Sequence, residues 1–319
     1  MDWAKGPLRD LRDRFAGSLL GTALGDALGA SSWGRAIARQ GAADVDEARP
    51  PGILFYTDDT HMAIGVAESL IERRGLDVDH MAARFAEDYE REPYRGYGPG
   101  PPRIFRMIRA GIDRRVAARS VYPGGSFGNG AAMRIAPLGL FYNDDLQILK
   151  RAAEEASGIT HIHPLGIEGA VIQAAAVAMA VRSGNGSPLD PKDFLEALRG
   201  LASQRVYIEK LHAIGRLLEE GANPGRVASE LGNGVEAFNS VPTAIFSFLA
   251  NRGSFQRAVL YAIGLGGDAD TIGAMTGAIS GAYVGAKGLP RSWLAKLESA
   301  DRLERLALAL FEAKYGRGR

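Results

Sequence analysis

The sequence predicts an all-α protein, a compact orthogonal bundle of about a dozen or more helices in a single domain over residues 1–319. Apolar residues recur at helical spacing along almost the whole chain. Alternating strand patterns bounded by hairpin turns are hard to find. Apolar residues make up 46% of the chain and charged residues 24%, which is typical of a globular protein with a large core.

Capping residues, prolines and glycines mark where the predicted helices begin and end. In chain order, we predict helices over residues 11–30, 60–74, 78–90, 103–118, 144–157, 192–201, 205–220, 242–249, 255–263, 271–286 and 302–314. Asn143 is predicted to cap the fifth of these helices, and Asp190 with Pro191 to open the sixth. The polar stretch over residues 183–190 is a domain boundary or a surface loop, and one domain is favoured because no low-complexity linker is present.

Two of the predicted helices carry a glycine at every fourth position. These are Gly17, Gly21, Gly25 and Gly29 in FAGSLLGTALGDALGA, and Gly273, Gly277, Gly281 and Gly285 in GAMTGAISGAYVGA. An interior glycine costs about 1 kcal/mol relative to alanine, so a row of them needs a structural reason. Spacing by four places them on one helix face, where a second backbone can approach closely. We therefore predict that both helices lie at the centre of the bundle, where they can pack against each other.

Charge and composition exclude several functional classes. The formal net charge is +1 and the basic residues are scattered, so binding to nucleic acid or to an anionic membrane is not indicated. Cysteine is absent, which excludes disulfides, thiolate metal sites and a cysteine nucleophile. No signal-peptide pattern is present, and apolar stretches such as 170–181 are shorter than the ~20 residues that span a bilayer. We expect a cytoplasmic monomer.

A first cluster of aspartate and threonine precedes the second predicted helix. It reads Thr57-Asp58-Asp59-Thr60 within FYTDDTHM. Threonine and aspartate are common N-caps, and a further acid is favoured by the helix dipole. Capping therefore explains one of the two adjacent carboxylates well, but it explains the presence of both less well.

A second cluster, GGDADTIG, places Asp268, Asp270 and Thr271 at the start of the second glycine-faced helix. If the two clusters meet, four carboxylates share a small volume, and their repulsion raises pKa values or requires a cation. Ligands that are all oxygen favour Mg²⁺, Mn²⁺ or Ca²⁺ over Zn²⁺, and an Asp-x-Asp pair suits a two-metal site. From the residues alone, a pair of helix caps and a metal site both remain open.

The glycine-rich stretch GGSFGNGAAMR, residues 124–134, is a candidate phosphate-binding loop. Its backbone N–H groups could cradle phosphate oxygens, assisted by the dipole of a following helix. It is not a Walker loop, because the Gly-Lys-Ser/Thr ending is missing. An ordinary tight connection explains the glycines equally well.

Two further features place polar side chains near predicted helices. His161 and His163 precede Pro164, and they fit a metal-binding pair or, more commonly, a helix-entry turn with one hydrogen-bonded histidine. Asp26 lies inside the first glycine-faced helix. A buried aspartate there needs a partner, either backbone amides at a facing helix terminus or the metal cluster itself.

Taken together, the motifs resemble those of the ADP-ribosylglycohydrolase family. The blocks GSLLGTALGDALGA, YTDDTHMA, GGSFGNGAAMRIAPLG, THIHPLG, SVPTAIFSFL and GLGGDADTIGAMTGAISGAYVG occur in the family's order over residues 15–287. The resemblance implies a compact all-α fold with two Mg²⁺ ions, for which Mn²⁺ can substitute, at the floor of an ADP-ribose cleft. The metal ligands that it implies are Thr57, Asp58, Asp59, Asp268, Asp270 and Thr271.

The resemblance also implies which residues bind and cleave the substrate. The loop segment that matches the family's diphosphate-wrapping segment consists of Gly125, Ser126, Phe127, Gly128, Asn129 and Gly130. His161 matches a cleft residue near the substrate ribose. A metal-linked aspartate, which is Asp58, Asp59 or Asp270, would take the proton of the attacking water.

One position departs from the family pattern. Many members carry an acid four residues after the second glycine of GDALG, on a mobile segment beside the metals. Trp33 stands at that position in this chain. A mechanism based on that acid therefore does not transfer directly, and Asp44, Asp46 or Glu47 could substitute for it.

The activity that the resemblance implies is Mg²⁺-dependent hydrolysis of the glycosidic bond between ADP-ribose and an arginine or serine side chain, or a related conjugate. The YTDDT and GGDADT forms look closer to the serine- and poly(ADP-ribose)-type members. Two alternatives are an ADP-ribose-binding protein with little turnover and a two-metal phosphohydrolase that acts on nucleotides. The released products distinguish the three.

Overall fold

The computed structural model describes residues 8–40, 49–183 and 189–316. In these ranges the chain forms helices and connections, with two isolated β-bridges that pair Leu54 with Leu297 and Gly128 with Glu236. The predicted all-α fold is confirmed.

The α-helices of the described residues are α1 (Leu8–Ala30), α2 (Ser32–Gln40), α3 (Asp58–Arg73), α4 (Val78–Arg91), α5 (Pro101–Arg109), α6 (Arg114–Val121), α7 (Ala136–Phe141), α8 (Leu146–Ser157), α9 (Pro164–Arg182), α10 (Pro191–Arg199), α11 (Arg205–Glu219), α12 (Pro224–Leu231), α13 (Ala237–Ala250), α14 (Phe255–Gly264), α15 (Ala269–Val284), α16 (Arg291–Leu294) and α17 (Ala300–Tyr315). Side-chain caps fix many of their starts. At α10, Asp190 accepts hydrogen bonds from the backbone N–H groups of Lys192 and Asp193, as predicted.

α1 and α15 form the central helix pair, and their glycine faces touch. A Cβ added to Gly25 would lie 2.0 Å from the carbonyl oxygen of Gly273. One added to Gly17, two turns earlier, would lie 2.3 Å from the carbonyl oxygen of Gly281. α15 also packs against α9, α13 and α14. The predicted central position of both helices is confirmed, and so is their contact.

α9 and α13 are buried along almost their whole length beside α15. Among the described residues, α9 is the one helix long and apolar enough to cross a membrane by length and composition. However, 83% of its most apolar stretch is buried within the fold. A helix that is apolar on all faces is expected at the core of a large bundle.

The helices α2, α7, α12 and α16 were not predicted, and several helix boundaries differ from the prediction, three of them for a clear physical reason. Residues 103–118 do not form one helix, because Gly111 adopts a left-handed φ of 81° between α5 and α6. α8 is capped by Asp145 instead of Asn143, and the Asp145 carboxylate accepts two backbone N–H groups of the first turn. α13 begins before Pro242 and carries it inside the helix. Tertiary packing overrides the proline signal at that position.

Some predicted features fall outside the described residues. They include most of the stretch over residues 183–190, together with Asp44, Asp46 and Glu47. On either side of that stretch, α9 and α10 pack against each other. The single domain stays a prediction.

Candidate active site

The first turns of α3 and α15 line one cavity of about 330 Å³. Asp58 and Asp59 come from α3, and Asp270 and Thr271 come from α15. Asp268, the residue that precedes α15, lines the same cavity. The fold therefore brings the aspartates of the two distant clusters to one cavity, whereas Thr57 and Thr60 of the first cluster do not line it.

Asp26 of α1 anchors the start of α3. Its carboxylate accepts hydrogen bonds from Thr57 N at 3.0 Å and from Thr57 Oγ1 at 2.8 Å. It also accepts from Thr60 N at 3.1 Å and from Thr60 Oγ1 at 2.6 Å. Thr57 is itself the N-cap of α3 and accepts from Asp59 N. Of the two partners predicted for Asp26, the facing helix terminus is the one observed.

Asp26→Ala is expected to destabilise the protein by about 3 kcal/mol, because two half-buried donors of Thr57 and two buried donors of Thr60 lose their acceptor. Relief of the repulsion between Asp26 and its neighbouring carboxylates offsets only part of this loss. Urea unfolding measures the difference. Asp79→Ala, at a side chain that is 87% exposed, is the control and should cost less than about 1 kcal/mol. Equal losses in the two variants would contradict the anchoring role.

The carboxylates of the cavity are crowded and poorly hydrated. Burial is the main cause that raises the pKa of Asp58 to about 7, and the nearby Asp26 raises it further. Burial also raises the pKa of Asp268 to about 6, although a hydrogen bond from Asn129 opposes the rise. The pKa of Asp59 lies well above its usual range because its side chain is buried beside Asp26 and Asp58. A bound cation would relieve this repulsion.

The clusters supply the oxygen ligands that a hard divalent cation prefers. Asp59 Oδ2 is buried and has no hydrogen-bond partner among the described residues. Such an orphaned oxygen is costly, and a cation would satisfy it. In the described part of the chain, no three His, Cys, Asp or Glu side chains are already grouped around one point as a metal site. The all-oxygen donor set and the orphaned Asp59 Oδ2 are the features that fit Mg²⁺ or Mn²⁺.

The glycine-rich loop forms another wall of the cavity. The loop residues that line it are Ser126, Gly128, Asn129 and Gly130. Asn129 Nδ2 donates to Asp268 Oδ2 at 2.6 Å, which ties the loop to the second Asp/Thr cluster. Asn129 N donates to Val235 O at 2.9 Å, so the segment before α13 holds the loop backbone in place.

Two loop residues predicted to bind substrate, Gly125 and Phe127, lie outside the lining of the cavity. Gly125 has a left-handed φ of 80°, and a Cβ there would lie 2.4 Å from His163 N. Glycine is therefore required for the turn and for the close approach. The Phe127 ring is 46% exposed and packs edge-on against His163 and at a tilt against Phe238. Gly125 shapes the loop, and Phe127 covers its outer side.

The two neighbouring histidines have separate surroundings. His161 lines the cavity, and a Cβ on Gly130 would lie 2.9 Å from its Cε1 atom. His163 is the N-cap of α9, and its Nδ1 accepts from Leu165 N at 3.1 Å. The helix-entry interpretation is therefore confirmed for His163.

The geometry can now be compared with known proteins. The chain matches the ADP-ribosylglycohydrolase family over residues 7–319. The chain belongs to that family. It is 37% identical to ADP-ribosylhydrolase ARH3 of Bos taurus and of Homo sapiens, in each case over 96% of this chain and 94% of the relative. A solved structure titled ADP-ribosylglycohydrolase-related protein complex has a TM-score of 0.71 and 30% identity, covering 96% of this chain and 99% of that chain.

Membership of the ADP-ribosylglycohydrolase family supports a hydrolase and implies ADP-ribosylated substrates. Trp33, the position at which we expected a departure from the family pattern, lies on α2 and does not line the cavity. The partly buried Trp33 ring packs against an apolar cluster of the core. The turn before it is held locally, since Gly34 N donates to Ser31 Oγ and Arg35 Nη1 donates to Gly29 O. Packing therefore explains Trp33 better than contact with substrate does.

One wall of this ADP-ribosylglycohydrolase cavity consists of residues that the sequence did not predict to be functional. That wall consists of Gly96, Gly98, Pro99, Gly100, Pro101, Ile104 and Tyr122. The motif YGPGPP by itself predicts only a turn. Tertiary packing places this turn close to Asp58. Arg134 was also passed over, although it is only 1% exposed. The one available signal was a charged residue within the apolar run AAMRIAPL.

Proposed function

We propose that the protein hydrolyses the glycosidic bond that joins ADP-ribose to an arginine or serine side chain, or to a related conjugate, with Mg²⁺ as cofactor. The observation that carries the proposal is the single cavity lined by both Asp/Thr clusters and by the glycine-rich loop. The hydrogen bond from Asn129 to Asp268 joins the loop directly to one cluster. Membership of the ADP-ribosylglycohydrolase family supports the same chemistry.

Oxygen donors of both clusters would hold the metal. The residues that would hold two Mg²⁺ ions, or Mn²⁺ in their place, are Thr57, Asp58, Asp59, Asp268, Asp270 and Thr271. Bound Mg²⁺ would supply electrostatic stabilisation and fix the orientation of sugar hydroxyls and water. The carboxylates themselves provide negative charge beside the scissile bond, which favours an oxocarbenium-like transition state.

Three carboxylates are candidates for accepting the proton of the attacking water: Asp58, Asp59 and Asp270. All three line the cavity. In the metal-free protein burial raises the pKa of Asp58 to about 7, and bound Mg²⁺ would lower it again. The ionised carboxylate could then accept a proton from water as a general base.

The diphosphate would lie along the glycine-rich loop. Three loop amides already have partners within the protein, since Gly125 N and Asn129 N donate to backbone carbonyls and Gly128 N donates to Ser126 Oγ. Contact with the diphosphate therefore falls to the other groups of this wall, among them Gly130 and His161. Binding energy gained at this remote part of the substrate would orient the reacting bond over the carboxylates.

Release of ADP-ribose from defined substrates tests the proposal. The protein is incubated with Mg²⁺ and, separately, with arginine-linked, serine-linked and poly-linked ADP-ribose. Asp270→Ala is expected to lower the rate of release by more than about 100-fold, because it removes a cavity carboxylate. Asp79→Ala, at an exposed side chain outside the cavity, is the control and should leave the rate unchanged.

Two other results would each indicate a different function. Release of inorganic phosphate or AMP would indicate a nucleotide phosphohydrolase, and binding of ADP-ribose without turnover would indicate a binding protein. Release that continues fully in a metal chelator would contradict the role of Mg²⁺. The preferred substrate among the three shows which linkage a member with Trp33 cleaves.

A further inference from the structure

Arg134 is a buried cation beside residues that line the cavity. Its Nη2 donates to Thr160 Oγ1 at 2.8 Å, and its guanidinium lies over the Phe85 ring, 4.8 Å from the centroid. Burial lowers the pKa of Arg134 to about 9, so the side chain stays charged at neutral pH. Among the described residues no carboxylate accepts a hydrogen bond from it. Its hydrogen bond to an oxygen is therefore the one to Thr160 Oγ1, and Nη1 donates to Met62 Sδ at 3.8 Å.

The hydroxyl of Thr160 also forms a hydrogen bond with His161. Thr160 Oγ1 lies 2.7 Å from His161 Nδ1, and Thr160 is only 2% exposed. Arg134 can only donate, so Thr160 Oγ1 accepts from it and keeps its own hydrogen for another partner. If His161 Nδ1 also donated to Thr160, the hydroxyl hydrogen would have no acceptor among the described residues. An unsatisfied buried donor costs about 1–3 kcal/mol, so Thr160 donates to His161 Nδ1.

The proton of the neutral imidazole then lies on Nε2. This atom is 3.2 Å from the place that a Cβ on Gly130 would take and 3.7 Å from the equivalent place on Gly128. The proton-bearing edge of His161 therefore faces the glycine-rich loop at the cavity. No described residue forms a hydrogen bond with Nε2. Burial, aided by the charge of Arg134, also lowers the pKa of His161 to about 3, which opposes a second proton.

We infer that Arg134 and Thr160 are positioning residues that lock His161 in its neutral Nε2–H tautomer, so that His161 presents a single hydrogen-bond donor to an oxygen of the ligand. His161 then neither gives nor takes a proton in the reaction. The acceptor is an oxygen of the diphosphate or of the adjoining ribose, because the Nε2 edge faces the glycine-rich loop. Only this identification of the ligand rests on the proposed function; the tautomer follows from the hydrogen bonds of the protein alone.

The tautomer can be observed directly in the ligand-free protein. The full chain is labelled with ¹⁵N-histidine, and long-range ¹H–¹⁵N spectra are recorded near neutral pH. The chain has five histidines, and the spectrum of a His161→Gln variant assigns the signals of His161. We expect the pattern of the Nε2–H tautomer, with no titration between about pH 5 and pH 8. An Nδ1–H pattern, or an imidazolium in this range, would overturn the inference.

Two substitutions of Thr160 separate positioning from packing. Thr160→Val keeps the shape of the side chain and removes the hydroxyl, so we expect the single-tautomer pattern to be lost. Thr160→Ser retains the hydroxyl and should restore the wild-type pattern. A pure Nε2–H pattern in Thr160→Val would overturn the role of Thr160. A purely structural role would not separate the two variants by tautomer.

Calorimetry with ADP-ribose tests the consequence for binding. Thr160→Val is expected to weaken the affinity by about 10-fold, whereas Thr160→Ser should stay within about 2-fold of the wild type. Equal affinities of wild type and Thr160→Val would overturn the assignment of His161 as the donor to this ligand. If the wild type does not bind ADP-ribose at all, the proposed function fails, and the spectra of the free protein still decide the tautomer.

Discussion

Gly25→Ala is expected to destabilise the protein by about 3 kcal/mol or more. The added Cβ would lie 2.0 Å from Gly273 O and 2.4 Å from Gly273 C, and neither backbone atom can move aside by a change of rotamer. α1 and α15 would have to separate, which would loosen the neighbouring contact between Gly21 and Gly277. The same separation would displace the start of α15, where Asp270 lines the cavity. Stability and activity should therefore fall together.

Gly215→Ala is the matched control for this substitution. Gly215 also lies inside a helix, α11, but the nearest atom to its added Cβ would be Leu195 Cδ1 at 3.7 Å. Because alanine favours the helix, this variant should gain up to about 1 kcal/mol. Urea unfolding of both variants gives the comparison. Similar free energies of unfolding for the two variants would contradict the close packing of α1 against α15.

Asp59→Asn is expected to lower the rate of hydrolysis by more than about 1,000-fold. We also expect it to raise the stability of the metal-free protein. The substitution is nearly isosteric and removes an ionisable carboxyl group from a buried position beside Asp26 and Asp58, where burial holds the pKa of Asp59 well above its usual range. The wild type should gain stability when Mg²⁺ is added, because the cation binds the folded state, and the variant should gain much less. Thermal unfolding with Mg²⁺ and with a chelator measures both effects. Asp79→Asn, at an exposed side chain, should respond to Mg²⁺ like the wild type.

The same carboxylates give the metal-free protein a defined pH dependence. Burial raises the pKa of Asp58 from 3.8 to about 7 and that of Asp268 from 3.8 to about 6. Between the unfolded and folded values the native state binds more protons than the unfolded chain. The contribution of these two carboxyl groups to stability is therefore greatest below their unfolded pKa and is lost as the pH rises from about 4 to about 7. The decline should be smaller in Asp59→Asn, and a wild-type stability that rises over this range in chelator would contradict the crowding of these carboxylates.

A structural feature of this protein is predictable from the sequence when the residues that specify it lie close together in the chain. The four-residue glycine repeats predicted the contact between α1 and α15, because one helix face is specified by neighbours along the chain. The break at Gly111 was not predicted, and the start of α13 was wrongly placed at Pro242. At Pro242 packing overrides the local signal, whereas Gly111 and the Asp113 N-cap of α6 are local signals that the prediction did not use.

The candidate site likewise combines features that the sequence predicts with contacts that only the fold creates. The Asp/Thr motifs and the glycine-rich loop are readable as separate segments, and the fold brings them to one cavity. By contrast, nothing in the sequence near Gly96 indicates that its turn approaches the first cluster. Nor does any local pattern indicate that Asp26 anchors α3.

The sequence by itself determined the helical class, the central glycine-faced pair and the oxygen-rich motifs, because each is encoded by residues a few positions apart. Only the tertiary structure decided which donors satisfy Asp26, which turn closes the cavity, and how Arg134 and Thr160 orient His161. Buried polar groups must find partners wherever the fold supplies them, and those partners come from segments that sequence spacing does not connect.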